Sequence, residues 1–265
     1  MYRKPRIYML HRIIEHFDEN NYYFQRKTAI SWLRFVALLD LIEKNGWETK
    51  PTSILASGYT DNDVFITFDD GYTDNNKALD ELIRRGMTAT IYPVKDFALT
   101  GFSPIDDMAH HLMSIQEPPP SIRRALLDGR LKKLLRDLTV TRYRHLRKHW
   151  FGIDFDAYIG HLFMNEQQLM HYYSQGIELG IHGRSHRAFN HLTAATLESE
   201  LSDSLVWLQL LGVTTPVSIC FPHGKHNEQV ITKCLSIGQT LLGVDCEMEF
   251  IQVFRRIHVK EECYG

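Results

Sequence analysis

The chain is short of the features that would place it outside the ordinary globular class. Only four of its 265 residues are cysteine, at Cys220, Cys234, Cys246 and Cys263, all in the last fifth and none in a C-x-x-C pair. That excludes a disulfide framework and a zinc-finger spacing, and points to reduced thiols in a reducing compartment. No 18 apolar residues run together, and the first ten residues carry charge without an apolar run of signal-peptide length. Neither a spanning helix nor a secretory leader is expected, and the location to expect is cytoplasmic or peripheral at the inner membrane face. An excess of charge is missing too: 30 Lys+Arg stand against 32 Asp+Glu, a net −2 with the 14 His neutral. Without the basic excess usual in such domains, no nucleic-acid partner is expected.

What remains is ordinary globular material, 44% hydrophobic and 23% charged, long enough to bury a sizeable core as one domain. Short apolar runs alternate with amphipathic stretches, the pattern of βαβ units and a parallel sheet. Strands are expected at Ile7–Leu10, Val64–Phe68, Ala89–Tyr92, Ile177–Ile181, Val217–Phe221, Thr240–Val244 and Val253–Val259. Between them, Ser31, Asn165 and Thr193 stand where helix N-caps are wanted, and Gly46 and Gly86 where helices stop. The expected architecture is a single-domain distorted (β/α) barrel of about seven strands spanning 1–265.

From about 100 to 163 the alternation is interrupted, with a break at Pro118-Pro119-Pro120, and this stretch reads as a mainly helical insertion. Residues 121–150 carry ten Lys/Arg against Asp128 and Asp137, a local +8 that leaves the rest of the chain at −10. The plain reading is a solvated helix face. The alternative is a surface for anionic groups, whether a nucleotide-linked or lipid-linked phosphate or acidic phospholipid, with Ile122, Leu126, Leu131, Leu134, Leu135 and Leu138 suited to core or bilayer.

His11, Asp69, Asp70, His182 and His223 all follow expected strands, at the strand end where parallel α/β proteins build sites. Adjacent carboxylates at the edge of a core repel each other, and a bound cation would hold one as a ligand and keep the other ionised. The competing reading is an Asp-Asp-Gly turn with Asp capping the next helix. His182-x-x-x-His186 can offer two imidazoles to one metal, whereas His145 and His149 read as a solvated helix face. Two His with one carboxylate leave coordination positions open, the composition of a catalytic rather than a structural site.

At these residues the chain resembles the polysaccharide deacetylases, the NodB-homology domain of carbohydrate esterase family 4. Thr67-Phe68-Asp69-Asp70-Gly71 is similar to the family's first motif, and His182-Gly183-Arg184-Ser185-His186 to its metal-binding second motif. Phe221-Pro222-His223-Gly224-Lys225 resembles its Phe/Tyr-Pro-Tyr-Gly segment. Tyr8-Met9-Leu10-His11-Arg12 and Arg255-Arg256-Ile257 resemble the circularly permuted poly-N-acetylglucosamine deacetylase branch. The resemblance implies Asp69 as general base, His11 as general acid, and Asp70, His182 and His186 as ligands of one divalent metal. Zinc is the first expectation, and cobalt, nickel or iron fit the same donors. It places Pro222, His223 and Gly224 at the substrate or oxyanion, and leaves the base without its usual arginine, for which Arg256 is the candidate.

Three departures stand out. Gly183 replaces Ser or Thr and Arg187 replaces Pro, which leaves the loop between the ligands freer. His223 replaces Tyr, which changes how substrate is held or adds a metal ligand. The implied activity is metal-dependent removal of the N-acetyl group from an amino sugar in a glycan or glycan precursor, the saccharide being free, nucleotide-linked or lipid-linked. A deformylase or other small-amide hydrolase, and a non-catalytic glycan-binding protein, are the alternatives on the same fold.

Overall fold

The computed structural model describes residues 4–114, 120–135, 138–151, 162–214, 217–244 and 253–261. The first strand, β1 (Arg6–Leu10), runs into β2 (Arg12–Ile14), which pairs in parallel with β3 (Ala29–Ser31) across the short helix α1 (Tyr22–Gln25). Ser31 caps α2 (Trp32–Lys44), accepting from the Arg34 N–H, and the helix stops two residues before Gly46, which supplies the positive φ of 65°. Next come β4 (Glu48–Thr49), β5 (Asp63–Asp70), α3 (Asn76–Arg84) and β6 (Thr90–Pro93).

Five helices follow: α4 (Lys95–Thr100), α5 (Pro104–Ser114), α6 (Pro120–Leu127), α7 (Arg130–Leu135) and α8 (Val140–Phe151). The chain then returns through α9 (Glu166–Ser174) and β7 (Glu178–Leu179) to α10 (Ala194–Leu210) and β8 (Ile219–Cys220). It ends through α11 (Glu228–Leu235), β9 (Leu241–Gly243), β10 (Val253–Arg255) and β11 (Ile257–His258). Asn165 opens α9 with a reciprocal capping box to Gln168, and Thr193 caps α10.

The architecture is a mixed α/β domain with parallel sheet. Hydrogen bonding orders one sheet β11-β1-β5-β6-β7, with β4 on β5, and a second β10-β9-β8. The strand pairs are parallel, and a parallel bridge joins Ile181 beyond β7 to Ile219 of β8. The last expected strand, Val253–Val259, is two short pieces rather than one. β10 stays on β9 while β11 crosses to β1, and Arg256 stands in the break between them.

Strand alternation sorts the side chains. Val64, Ile66 and Phe68 of β5 face the main core with Leu38 and Leu39 of α2, Leu79 and Leu82 of α3, and Leu197 and Leu201 of α10. Phe65 packs in a smaller cluster with Ile7, Tyr92, Cys220 and Leu242. Thr67 and Asp69 share the parity of Phe65, so Asp69 lies on that inner side. The helical stretch forms a core of its own, in which Leu126, Leu135, Tyr143, Phe102 and Met108 pack against Tyr22, Tyr23 and Phe24. Leu126 and Leu135 are therefore core, Leu131 and Leu138 pack beside them, and Leu134 is exposed. Arg147 is not part of a solvated face: it is fully buried with Nε 2.6 Å from Asp107 Oδ2. His145 and His149 are exposed, as the surface reading expects. No helix among the described residues is long and apolar enough to cross a membrane.

Candidate active site

In a regular strand Asp69 and Asp70 would point to opposite faces. Asp70 instead adopts φ 68°, which ends β5 and brings its carboxylate round to the side of Asp69. Gly71 continues the left-handed bend at φ 77°, and a Cβ there would lie 3.2 Å from that of Pro93. Non-glycine residues at positive φ are costly, about 1–2 kcal/mol each. Among the described residues they are Lys27, Asp70, His186 and His223, so three of the four fall in this site. Strain gathered at one place is held there by its surroundings.

His182 and His186 meet Asp70. Their Nε2 atoms lie 3.4 and 3.1 Å from Asp70 Oδ1. His182 Nδ1 is 2.9 Å from the Cys220 carbonyl oxygen. A carbonyl can only accept, so Nδ1 carries a proton; although burial pulls the ring's pKa down, the surrounding Cys220, Asp70 and Asp69 raise it well above the usual value, and a cation bound beside Asp70 would take Nε2 in place of a second proton. Asp70 Oδ1 is buried and accepts no hydrogen bond. Burial pushes the Asp70 carboxyl up, but the neighbouring His186 and His182 outweigh it and hold it well below the usual range. Burial draws His186 down to about 3, which keeps its imidazole neutral. An ionised carboxylate oxygen facing imidazole nitrogens, without a hydrogen-bond donor of its own, is a donor set suited to a cation. One donor atom from each of the three residues falls within 4.8 Å of the others.

Asp69, His182 and Cys220 form a second such set. Its donors are otherwise committed. Arg256 takes both Asp69 oxygens, Nη1 to Oδ1 at 2.6 Å and Nη2 to Oδ2 at 2.8 Å, and burial pushes the Cys220 thiol up, which keeps it protonated. Burial also pushes Asp69 up, yet Arg256 and His182 outweigh it and hold the carboxyl at about 2. Arg256 donates further to Thr67 Oγ1 at 3.2 Å. The inward turn of Arg256 follows from its place between β10 and β11.

His11 sits just past β1 with Nε2 3.8 Å from Asp69 Oδ2. The Asn75 side chain fixes the bend there, donating to the His11 carbonyl at 2.7 Å and accepting from the Ile13 N–H at 3.1 Å. His11 Nδ1 is buried without a hydrogen bond, and burial lowers the ring's pKa against the pull of Asp69 and Asp70.

His223 stands at φ 57° with its ring 4.4 Å from that of His186. It belongs to neither donor set. In its turn Pro222 has no N–H, while those of Gly224 and Lys225 are taken by the carbonyls of Phe221 and Pro222. Gly224 thus offers no N–H to an oxyanion. Its part is spatial: a Cβ there would meet the Val244 side chain at 3.0 Å.

The loop between the two histidines is not freed by Gly183. Glu200 of α10 accepts from both the backbone N–H and the hydroxyl of Ser185, and the Arg184 carbonyl accepts from the Asp96 N–H. Gly183 has φ 81°, and a Cβ would lie 3.0 Å from Phe189 and 3.2 Å from Glu200. The backbone here requires glycine.

Asp69, Asp70, His11, His182, His186, His223 and Arg256 come together at this strand end, and Pro222 and Gly224 form the turn that carries His223. Glu200, Cys220, Asn75 and Lys132 were not singled out. Glu200 had a readable signal, a carboxylate on the Leu197/Leu201 stripe of an amphipathic helix. Cys220 acts through its carbonyl, which no side-chain pattern announces. Burial is what chiefly lowers the pKa values of His11, His186 and His223, and the charge of Lys132 adds to it; Leu135 of the same helix α7 lies with Ser185 and His186 around one small space.

The arrangement is a buried Asp69 gripped by Arg256, with His11 beside it and an Asp70–His182–His186 group whose donors suit a cation, at the end of a parallel sheet. The chain belongs to the polysaccharide deacetylase family, whose model matches residues 57–242. No curated protein sequence matches it. Among solved structures it is similar to the deacetylase PplD of Streptococcus pyogenes in complex with acetate, at 13% identity and TM-score 0.67, over 98% of this chain and 94% of that one. The de-N-acetylase of Aggregatibacter actinomycetemcomitans aligns at 14% identity and TM-score 0.65, covering 98% and 96%. The BpsB deacetylase domain of Bordetella bronchiseptica aligns at 16% and 0.58, covering 96% and 95%. At such identities the likeness is one of fold.

Proposed function

We propose that the protein is a metal-dependent deacetylase that hydrolyses the N-acetyl group of an amino sugar in a glycan or glycan precursor. The observation that carries this is the buried Asp70 Oδ1, without a hydrogen bond and facing the Nε2 atoms of His182 and His186, one residue from an Asp69 kept ionised by Arg256. A divalent ion held by Asp70, His182 and His186, zinc before cobalt, nickel or iron, supplies Lewis acidity toward water and the acyl oxygen. Asp69 accepts the proton of the attacking water. His11 delivers a proton to the departing sugar amine, so that acetate and free amine result. The backbone N–H of His223 donates to the oxygen that becomes negative. Arg256 fixes the direction of the Asp69 lone pairs.

Three finer readings belong here. The pairing of β11 with β1, of β10 with β9, and the Ile181–Ile219 bridge support a sheet closed into a distorted seven-strand barrel, with the helices of about 100–163 as its insertion. His11 at the end of a first strand supports the circularly permuted branch. The exposed Arg123, Arg124, Arg142 and Lys148 support a cytoplasmic protein that touches anionic membrane or a phosphate-linked saccharide.

The test uses purified full-length protein. Asp69→Asn keeps stoichiometric metal and releases no acetate from N-acetylated saccharides, whereas His182→Ala loses the metal. Full activity in Asp69→Asn overturns the mechanism, and release of formate in place of acetate from matched substrates makes it a deformylase.

A further inference from the structure

The last strand segment brings more to the site than Arg256. β11 lies in register with β1, Met9 opposite His258, and the Val259 N–H donates to the Met9 carbonyl at 3.2 Å. Residues opposite each other on neighbouring strands point to the same face. Met9 shares the parity of Ile7, which packs on the inner side, so His258 points inward too. Arg256 and His258, two residues apart, thus reach the same side. Arg256 holds Asp69, and His258 lies beside His11 with the two rings 5.9 Å apart and tilted at 54°.

His258 is half-buried and anchored. Its contact with the Lys27 backbone raises its pKa, the sign of a ring N–H donated to a carbonyl. Lys27 is the fourth non-glycine residue at positive φ, 58°, and turns the chain at the end of α1, where its own N–H goes to the Phe24 carbonyl at 2.9 Å. Burial, then His11 and Lys260, draw His258 down to about 4 against the pull of Asp69 and the Lys27 contact, so the ring is uncharged at neutral pH. With one nitrogen donating to Lys27, the other carries a lone pair.

His11 has the complementary need. Its Nδ1 is buried without a hydrogen bond. A general acid must carry protons on both ring nitrogens, and a buried N–H without an acceptor is costly. The groups facing the ring are Asp69 and Asp70, whose charges favour its proton, Lys132 and Arg256, whose charges oppose it, and the uncharged His258. Asp69 lies on the Nε2 side with both oxygens taken by Arg256, and Asp70 faces His182 and His186. The lone pair of His258 is the acceptor that remains, at a separation one water spans.

Resting on the proposed reaction, we propose that His258 is a positioning residue for His11, taking its Nδ1–H through a water and holding Nε2 toward Asp69 and the departing amine. Nε2 gives its proton to the amine nitrogen as the C–N bond breaks, while Nδ1 keeps its own. The proton that Asp69 took from water then reloads Nε2, 3.8 Å away.

Zinc-loaded full-length protein is assayed for acetate release from tri-N-acetylchitotriose, and the His11 ring is followed by carbon–proton NMR of its Cε1, assigned by its loss in His11→Gln. His258→Phe and His258→Ala remove the acceptor, while β11 keeps its backbone pairing to β1. Both lower kcat about tenfold or more with KM and zinc affinity unchanged. The basic limb of the kcat profile moves to lower pH, because His11 without its acceptor gives up its proton sooner, and the NMR titration of His11 moves the same way. His258→Gln restores a carbonyl acceptor and recovers most of kcat and of the titration, a rescue that a packing role does not supply. Native kcat in both His258→Phe and His258→Ala, a His11 titration unmoved by both, or a loss that His258→Gln shares in full overturns the proposal. A His11 titration that shifts in these variants while no form of the protein, native included, releases acetate supports the coupling of the two rings and removes the deacetylase reading instead.

Discussion

Arg256 grips both carboxylate oxygens of Asp69, at 2.6 and 2.8 Å, and neither residue is more than 3% exposed. A two-pronged contact of this kind fixes orientation as well as charge. Its cost is basicity, since a carboxyl held at about 2 is a weak proton acceptor. Positioning is what the arginine gives in return.

Replacing Arg256 therefore has two signatures. Arg256→Met leaves a buried carboxylate without its partner and destabilises the fold by about 3–5 kcal/mol. Burial then pushes the Asp69 pKa up unopposed by the guanidinium, so the acid limb of the kcat/KM profile for acetate release moves to higher pH, while the plateau falls about 10²–10⁴-fold. Arg256→Lys retains the charge but not the fork, and lands between. A plateau unchanged in Arg256→Met would show that the arginine does not position the base.

The same pair sets a pH dependence of stability. The Asp69 carboxyl is at about 2 in the folded protein, against about 3.9 in an unfolded chain. A depressed pKa contributes stability that is complete above the unfolded value and is lost as pH falls through the folded one. The window runs from about pH 4 down to about pH 2, and the contribution is of order 2–3 kcal/mol. Asp70, also held low, acts in the same direction. Urea unfolding of metal-stripped protein across this window shows a steeper loss in the native chain than in Asp69→Asn. Parallel slopes would mean that Asp69 is not depressed.

Much of this site could be read in the sequence because its side chains follow strands, and strand ends are visible as apolar runs halted by polar residues. Asp69, Asp70, His182 and His11 were legible for that reason. The broken last strand was not, since Val253–Val259 keeps its apolar character through the point where pairing changes from β9 to β1. The left-handed backbone at Asp70, His186 and His223 was equally hidden, because Asp and His are enriched at positive φ but adopt it too seldom for the residue type alone to mark the position. The burial of Arg147 is another such case: its partners Asp107 and Tyr143 come from other positions of the helical segment, beyond the reach of a local charge count.

Gly183 offers a further check. At φ 81° with Phe189 and Glu200 close by, it cannot take the serine that resembles the family pattern without strain. Gly183→Ser costs about 1–3 kcal/mol for the left-handed backbone and the crowded Cβ. The displaced loop carries His186, so metal affinity falls as well. Thermal melting with and without zinc reads both effects: the melting temperature drops, and the increment gained from zinc shrinks. An unchanged zinc increment would separate the loop from the metal site.

The last prediction concerns the helical segment. Arg147, fully buried, has Nε 2.6 Å from Asp107 Oδ2, which also accepts from the Tyr143 hydroxyl at 2.7 Å. This pair ties α8 to α5. Leu135 of α7 lines a small space together with Phe97, Ser185 and His186, so loosening the segment reaches the edge of His186. Arg147→Met leaves Asp107 buried without its cation, a loss of about 3–5 kcal/mol. Because the segment has a core separate from that of the sheet, the loss falls on the helices first. Limited trypsin digestion cuts the variant within 120–151 many times faster than the native chain, while the sheet core persists as a resistant fragment. Cleavage spread evenly along the chain would show instead that the helices and the sheet unfold as one unit.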